Sequence, residues 1–274
     1  MTRTGRFPSA TAISRHLPTH LSSLFKAQIP ILAALLAVIL VAWGWLFYQH
    51  WQMLSLPMSQ MWMPPSDTAA WRVADFALVY SMWAVMMAAM MLPSVIPMIL
   101  AFHRVCRQRT IKHYRLSYLF TLAYLMIWFL FSSVLTLLQW QFHGWSWLSP
   151  MMDNQSTVLA VGVLFLAGIY QFLPIKNACL THCKSPMGFL LNEWREGVSG
   201  ALIMGLRHGA ACLGCCWAQM LVMFAVGVMN LPAMALITLL VIAEKWLPVE
   251  SAVICKAGGV IFILWGALLW TFQS

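Results

Sequence analysis

Charge is what this chain has least of. Its 274 residues include 7 Asp and Glu and 16 Lys and Arg, so 8% are charged while 62% are hydrophobic. A soluble domain carries about 25% charged residues, so this balance excludes an ordinary water-soluble fold. Carboxylates, the ligands of hard ions such as calcium and magnesium, hardly enter the apolar stretches, where only Asp75 and Glu244 occur. No Gly-x4-Gly-Lys-Ser/Thr loop is present to cradle a nucleotide, nor the phosphorylated-Asp domain of an ion-pumping ATPase. Active pumping by this chain alone is therefore not expected, and no enzymatic activity is assigned. Gly/Ser linkers, short repeats and soluble appendages are also missing.

What fills the chain instead is hydrocarbon. A helix needs roughly 20 apolar residues to cross a bilayer, and segments at 29–48, 75–101, 116–138, 156–173, 198–228, 231–247 and 252–271 meet that demand. Glu244 and Lys245 make the sixth the weakest. The expected fold is all-α, a polytopic helical membrane protein of about seven transmembrane helices. A basic tail over residues 1–28 precedes a single helical transmembrane domain over residues 29–274. The tail is expected to remain attached, since no small-x-small cleavage motif closes the apolar segment after it.

The basic surplus is arranged in blocks. Arg3, Arg6, Arg15 and Lys26 precede the first segment, and Arg104, Arg107, Arg109, Lys112 and Arg115 lie between the second and third. Lys176, Lys184 and Arg195 lie between the fourth and fifth, whereas 49–70 and 139–155 hold no Lys or Arg. This is the positive-inside pattern. It predicts a cytoplasmic N-terminus, an outer C-terminus and a multi-pass place in a bacterial cytoplasmic membrane. The charge serves topology and lipid headgroups; nucleic acid is not an expected partner, and the bilayer is.

Against this background the soft donors stand out. His208, Cys212, Cys215 and Cys216 crowd one apolar segment. On a helix of 100° per residue, Met204, His208, Cys212, Cys215, Gln219 and Met223 fall within about 60° of His208, with Cys216 at the edge. Polar and ionisable groups in a span face the bundle interior and mark a site or pathway. Met82, Met86 and Met90 form an i, i+4 row in the second segment, with Met87 and Met91 beside it, and Met58, Met61 and Met63 lie in an outer loop. Such Met rows also serve as flexible core packing. Cys179 and Cys183 lie in a loop expected on the cytoplasmic side. If that loop is helical, they are i, i+4 neighbours about 6 Å apart at Cβ, near enough to share a metal, and Pro186 ends the helix. Lys176 and Lys184 flank these thiols with positive charge that favours thiolate. Cys106 and Cys255 stand alone and are assigned nothing.

The donor set selects the ion. Structural zinc wants four Cys or His ligands and makes little use of thioether, whereas Cu(I) takes thiolate and thioether together. The expected metal is Cu(I), with zinc second. Its candidate ligands are His208, Cys212, Cys215 and Cys216, with Cys179, Cys183, Met86, Met90 and Met223 completing or feeding the set. Arg207 lies about 15 Å into its segment, and Glu244 is expected to pair with it or to orient His208. Gly197, Gly200, Gly205 and Gly209 would let helices pack closely around such a site.

At Trp83, Met86-Met87, Met90-Met91, Pro93, Tyr170-Gln171, Pro174, Lys176, Cys179, Cys183, Gly205, Gly209, Cys212, Gly214-Cys215-Cys216-Trp217, Gly227, Met229-Asn230 and Glu244-Lys245, the chain resembles a bacterial family of integral membrane proteins. That family is described as predicted metal-binders and is formally a domain of unknown function. The resemblance covers roughly 75–250 and implies a helical membrane fold with a metal function in copper handling. Three functions follow. The first is binding a soft metal, Cu(I), for copper handling or delivery, with a copper chaperone or metalloprotein as partner. The second is a membrane thiol-disulfide oxidoreductase using the Cys-x-x-Cys of Cys212 and Cys215. The third is an accessory subunit whose Met and Cys hold a helix interface.

Overall fold

The computed structural model describes residues 10–57, 60, 62–247 and 251–273, with side chains from Gln28 onward except those of Ser251 and Gln273. Nine α-helices follow one another among these residues: α1 Ala10–Ser55, α2 Val73–Arg109, α3 His113–Gly144, α4 Thr157–Tyr170, α5 Pro174–Lys184, α6 Pro186–Glu193, α7 Gly197–Val226, α8 Leu231–Trp246 and α9 Ser251–Gln273. No strand occurs among them, so the fold is all-α. Met58 and Met61 of the outer-loop methionines lie outside the described residues, and Met63 is half-buried.

Each of the seven apolar segments is helical, but they differ in reach. Gln28–Ser55, Val73–Arg109, His113–Gly144, Gly197–Val226 and Ala252–Phe272 are long and apolar enough to cross a membrane, and α4 with α5 makes a sixth bent by 66°. The break has a local cause. Pro174 opens α5, and Leu173 before it is extended, because the proline ring clashes with a helical predecessor. The segment at 231–247 yields only the 16 residues of α8, about 24 Å at 1.5 Å per residue, short of the roughly 30 Å hydrocarbon core. By length and composition, five of the described helices can cross a membrane, or six if the bent pair is one span, and α8 is shorter than that test requires.

Burial sorts the helices into centre and rim. Two thirds of the apolar window of α2 is buried and 61% of that of α7, against 22% for α1 and 28% for α9. Outward residues such as Leu40, Val41 and Phe272 are large and apolar, as a lipid-facing surface requires. Helix α7 packs on α3, α4, α5 and α8, and α2 packs on α1, α3 and α8. Pro93 and Pro97 sit inside α2. Pro93 has no N–H for the carbonyl of Ala89, and the Trp43 indole of α1 donates to that oxygen at 3.1 Å instead. A neighbouring helix thus satisfies the freed acceptor, which hydrocarbon cannot do.

Small residues set the central distances. A Cβ on Gly205 would collide with the Phe120 carbonyl and approach the Ala123 methyl at 2.8 Å. Gly205→Ala should therefore push α7 from α3 and destabilise the protein by about 1–3 kcal/mol, the usual cost of overpacking. A chemical-denaturation curve in detergent reads that loss directly. At the far end α7 stops at Gly227, whose φ of 98° suits a residue without Cβ. Asn154 donates to the Phe224 carbonyl there at 2.9 Å.

Candidate metal centre

The thiols of the α7 stripe meet a partner from outside the helix. Cys183 on α5 joins Cys212 and Cys215, and the three Sγ atoms all lie within 4.8 Å of one another. All three side chains are buried. The α4–α5 bend makes this possible, because it turns α5 onto the flank of α7. The segment at 174–196 is therefore not a solvated loop. It is the two helices α5 and α6, with Lys176 fully buried and Cys183 8% exposed. Helix α5 ends at Lys184, just before Ser185 and Pro186, as expected, and Pro186 then opens α6.

Cys179 is not one of the three thiols of this group. Its Sγ faces Gly214, where an added Cβ would lie 2.8 Å away. The Tyr170 hydroxyl donates to the Gly214 carbonyl alongside, so α4, α5 and α7 converge on this glycine. Cys216 lies at the edge of the cluster, its Sγ 3.1 Å from that of Cys215. The Cys215 thiol also donates to the Cys212 carbonyl at 3.1 Å. All seven cysteines are free.

His208, one turn from Cys212 on the same face, is outside the three-thiol group. Its ring packs against Phe120, Tyr124 and Phe189 at centroid distances of 6.1, 5.9 and 5.4 Å. It is 2% exposed, and its Nδ1 has no hydrogen-bond partner. Met86 and Met90 of α2 and Met223 of α7 are sealed in the core.

Two contacts on Cys212 were not foreseen. The Tyr124 hydroxyl of α3 lies 3.1 Å from its sulfur, and the Lys245 ammonium of α8 lies 2.9 Å from it and donates also to Ser94 Oγ at 3.0 Å. The partners of Lys245 are thus a hydroxyl and a sulfur, not a carboxylate. In a low-dielectric interior a charge without compensation is costly, and a thiolate at Cys212 would supply the compensation. A metal held by three thiolates is a net anion for any monovalent ion, and the ammonium offsets part of that charge. The signal available in sequence was the Glu244-Lys245 pair closing an otherwise apolar helix.

The other charges around the site correct three expectations. Glu244 pairs with Lys176, at 2.9 Å and with both side chains fully buried, so neither Arg207 nor His208 is its partner. Gln171 and Gln219 donate to the same carboxylate at 3.1 and 3.0 Å. Gln219 therefore leaves the ligand stripe to hold α8. The Lys176 ammonium is thus directed to Glu244, which accepts from it through both carboxylate oxygens, at 3.1 and 2.9 Å. Arg207 pairs at 2.6 Å with Glu193, an acid on the neighbouring α6, and half its side chain stays exposed. That hydrogen bond holds the Glu193 carboxyl below its usual range.

A buried cluster of three thiols with an ammonium against one of them has the donor chemistry for a soft cation. The family model described as copper chaperone, PpoB2, matches residues 80–269. This chain belongs to that family. No curated protein and no solved structure matches it. The matched region contains Cys183, Cys212, Cys215, Tyr124 and Lys245, and it leaves out α1, which contributes none of them.

Proposed function

We propose that this protein is a copper chaperone of the bacterial cytoplasmic membrane, which holds Cu(I) at Cys183, Cys212 and Cys215 and hands it to a metalloprotein. Copper here is cargo. The carrying observation is the three Sγ atoms within 4.8 Å of one another, drawn from two helices. Three thiolates suit the low coordination and softness of Cu(I), whereas structural zinc takes four ligands. His208, Cys216, Cys179 and the thioethers of Met86, Met90 and Met223 are candidates for loading or release rather than for the resting site. The family description supports copper over other soft ions.

The geometry gives less support to a thiol-disulfide oxidoreductase. A cycling dithiol must be reached by an exchange partner, and Cys212 and Cys215 are 1% and 0% exposed. Anaerobic purification of the full chain in detergent, followed by metal analysis, tests the proposal. About one Cu(I) per chain is expected after incubation with excess Cu(I) and removal of loose metal. A chain that retains no copper, or that retains zinc in its place, overturns the reading.

A further inference from the structure

Resting on that reading, we infer that copper reaches and leaves the three-thiol centre through a surface histidine, His182, and a buried one, His208, with the Phe189 ring as the gate between them. Phe189, on α6, touches both imidazoles. Its ring makes a T-shaped pair with His182 at a centroid distance of 5.8 Å and another with His208 at 5.4 Å. His182 is half exposed at the end of α5, Phe189 is 3% exposed and His208 is 2% exposed. The three rings therefore run from the surface to the interior in one line of contact.

Each end of that line is built for a metal in passing. His182 Nε2 lies 3.4 Å from Glu193 Oε1, and Arg207 anchors the same carboxylate from the other side. With Nε2–H given to the carboxylate, the other ring nitrogen keeps a lone pair for a cation. His208 offers an unpartnered Nδ1 inside the protein. It sits one helical turn from Cys212, a neighbour on the same face. His182 is next in sequence to Cys183, so both ends of the route adjoin ligands of the centre. Cu(I) moves by exchanging one soft ligand for the next, and the face of Phe189 can itself attract a cation between imidazoles. The step is ligand exchange at constant oxidation state, with no electron transferred.

The test is the rate of Cu(I) transfer from a chromogenic Cu(I) chelator to the full-length protein in detergent, followed by stopped flow. His182→Ala changes an exposed side chain and should slow loading about tenfold, the effect of a lost gating step of roughly 1.4 kcal/mol, with the same final stoichiometry. Phe189→Leu, which keeps an apolar plug but removes the ring, should change the loading rate and leave the endpoint alone. Loading by His182→Ala at the wild-type rate, with Phe189→Leu also unchanged, overturns the route while the three-thiol centre stands. A wild-type protein that takes up no copper overturns the centre itself, and with it the route.

Discussion

Cys183→Ser is expected to remove tight Cu(I) binding as completely as the double change Cys212→Ser with Cys215→Ser. The two α7 thiols are one helical turn apart and would be gathered by any helix of this sequence. Cys183 comes from a different helix, and only the folded α4–α5 bend brings its sulfur within 4.8 Å of both. A hydroxyl is a hard, weak donor to Cu(I), so the serine variant leaves a buried two-thiolate remnant. Loss of a mere supporting partner at a metal site costs about 10–100-fold in affinity; loss of a ligand should cost at least about 100-fold. Competition against a Cu(I) chelator of known affinity measures this. Cys179→Ser and Cys106→Ser are the controls and should bind copper like the parent. If Cys183→Ser binds as tightly as the wild type while the α7 double variant does not, the centre is confined to α7 and α5 serves only as packing.

This contrast also marks how far the amino-acid sequence could be read. Helices were legible because apolar runs of span length have one stable form in lipid, and the soft stripe was legible because His208, Cys212 and Cys215 are related by the local period of one helix. What local periodicity cannot reveal is a contact between elements. Cys183 has Cys179 four residues away as its local neighbour, and the fold adds two thiols from α7. Lys176 looked like a neighbour of those thiols, yet its carboxylate is 68 residues distant. Arg207, expected to pair with Glu244, has its acid fourteen residues upstream, in α6. Lys245 and Tyr124 were hidden for a different reason: a single polar group in an apolar run shows that a partner is needed, without showing which. The number of spans is harder to read, because hydropathy measures an apolar run without registering the break at Pro174 or the 16-residue length of α8.

Removing Glu244 should be the most damaging single change to stability. Glu244→Leu leaves the Lys176 ammonium fully buried with no countercharge, and it strands the donor groups of Gln171 and Gln219. Breaking one side of a buried ion pair costs about 3–5 kcal/mol, whereas replacing both partners by apolar residues is often neutral or stabilising. The expected order in detergent denaturation is therefore wild type close to the double variant Lys176→Met with Glu244→Leu, and both well above Glu244→Leu alone. The double variant also separates two roles. The Glu244 cluster ties α8 to α4, α5 and α7, while Lys245, the next residue, puts its charge on Cys212. If the cluster is purely structural, the repaired double variant should still take up copper. If it refolds and yet loses copper, the network also holds Lys245 in register with the thiols. A double variant as unstable as Glu244→Leu alone would mean that the amide contacts of Gln171 and Gln219, not the ion pair, hold α8 in place.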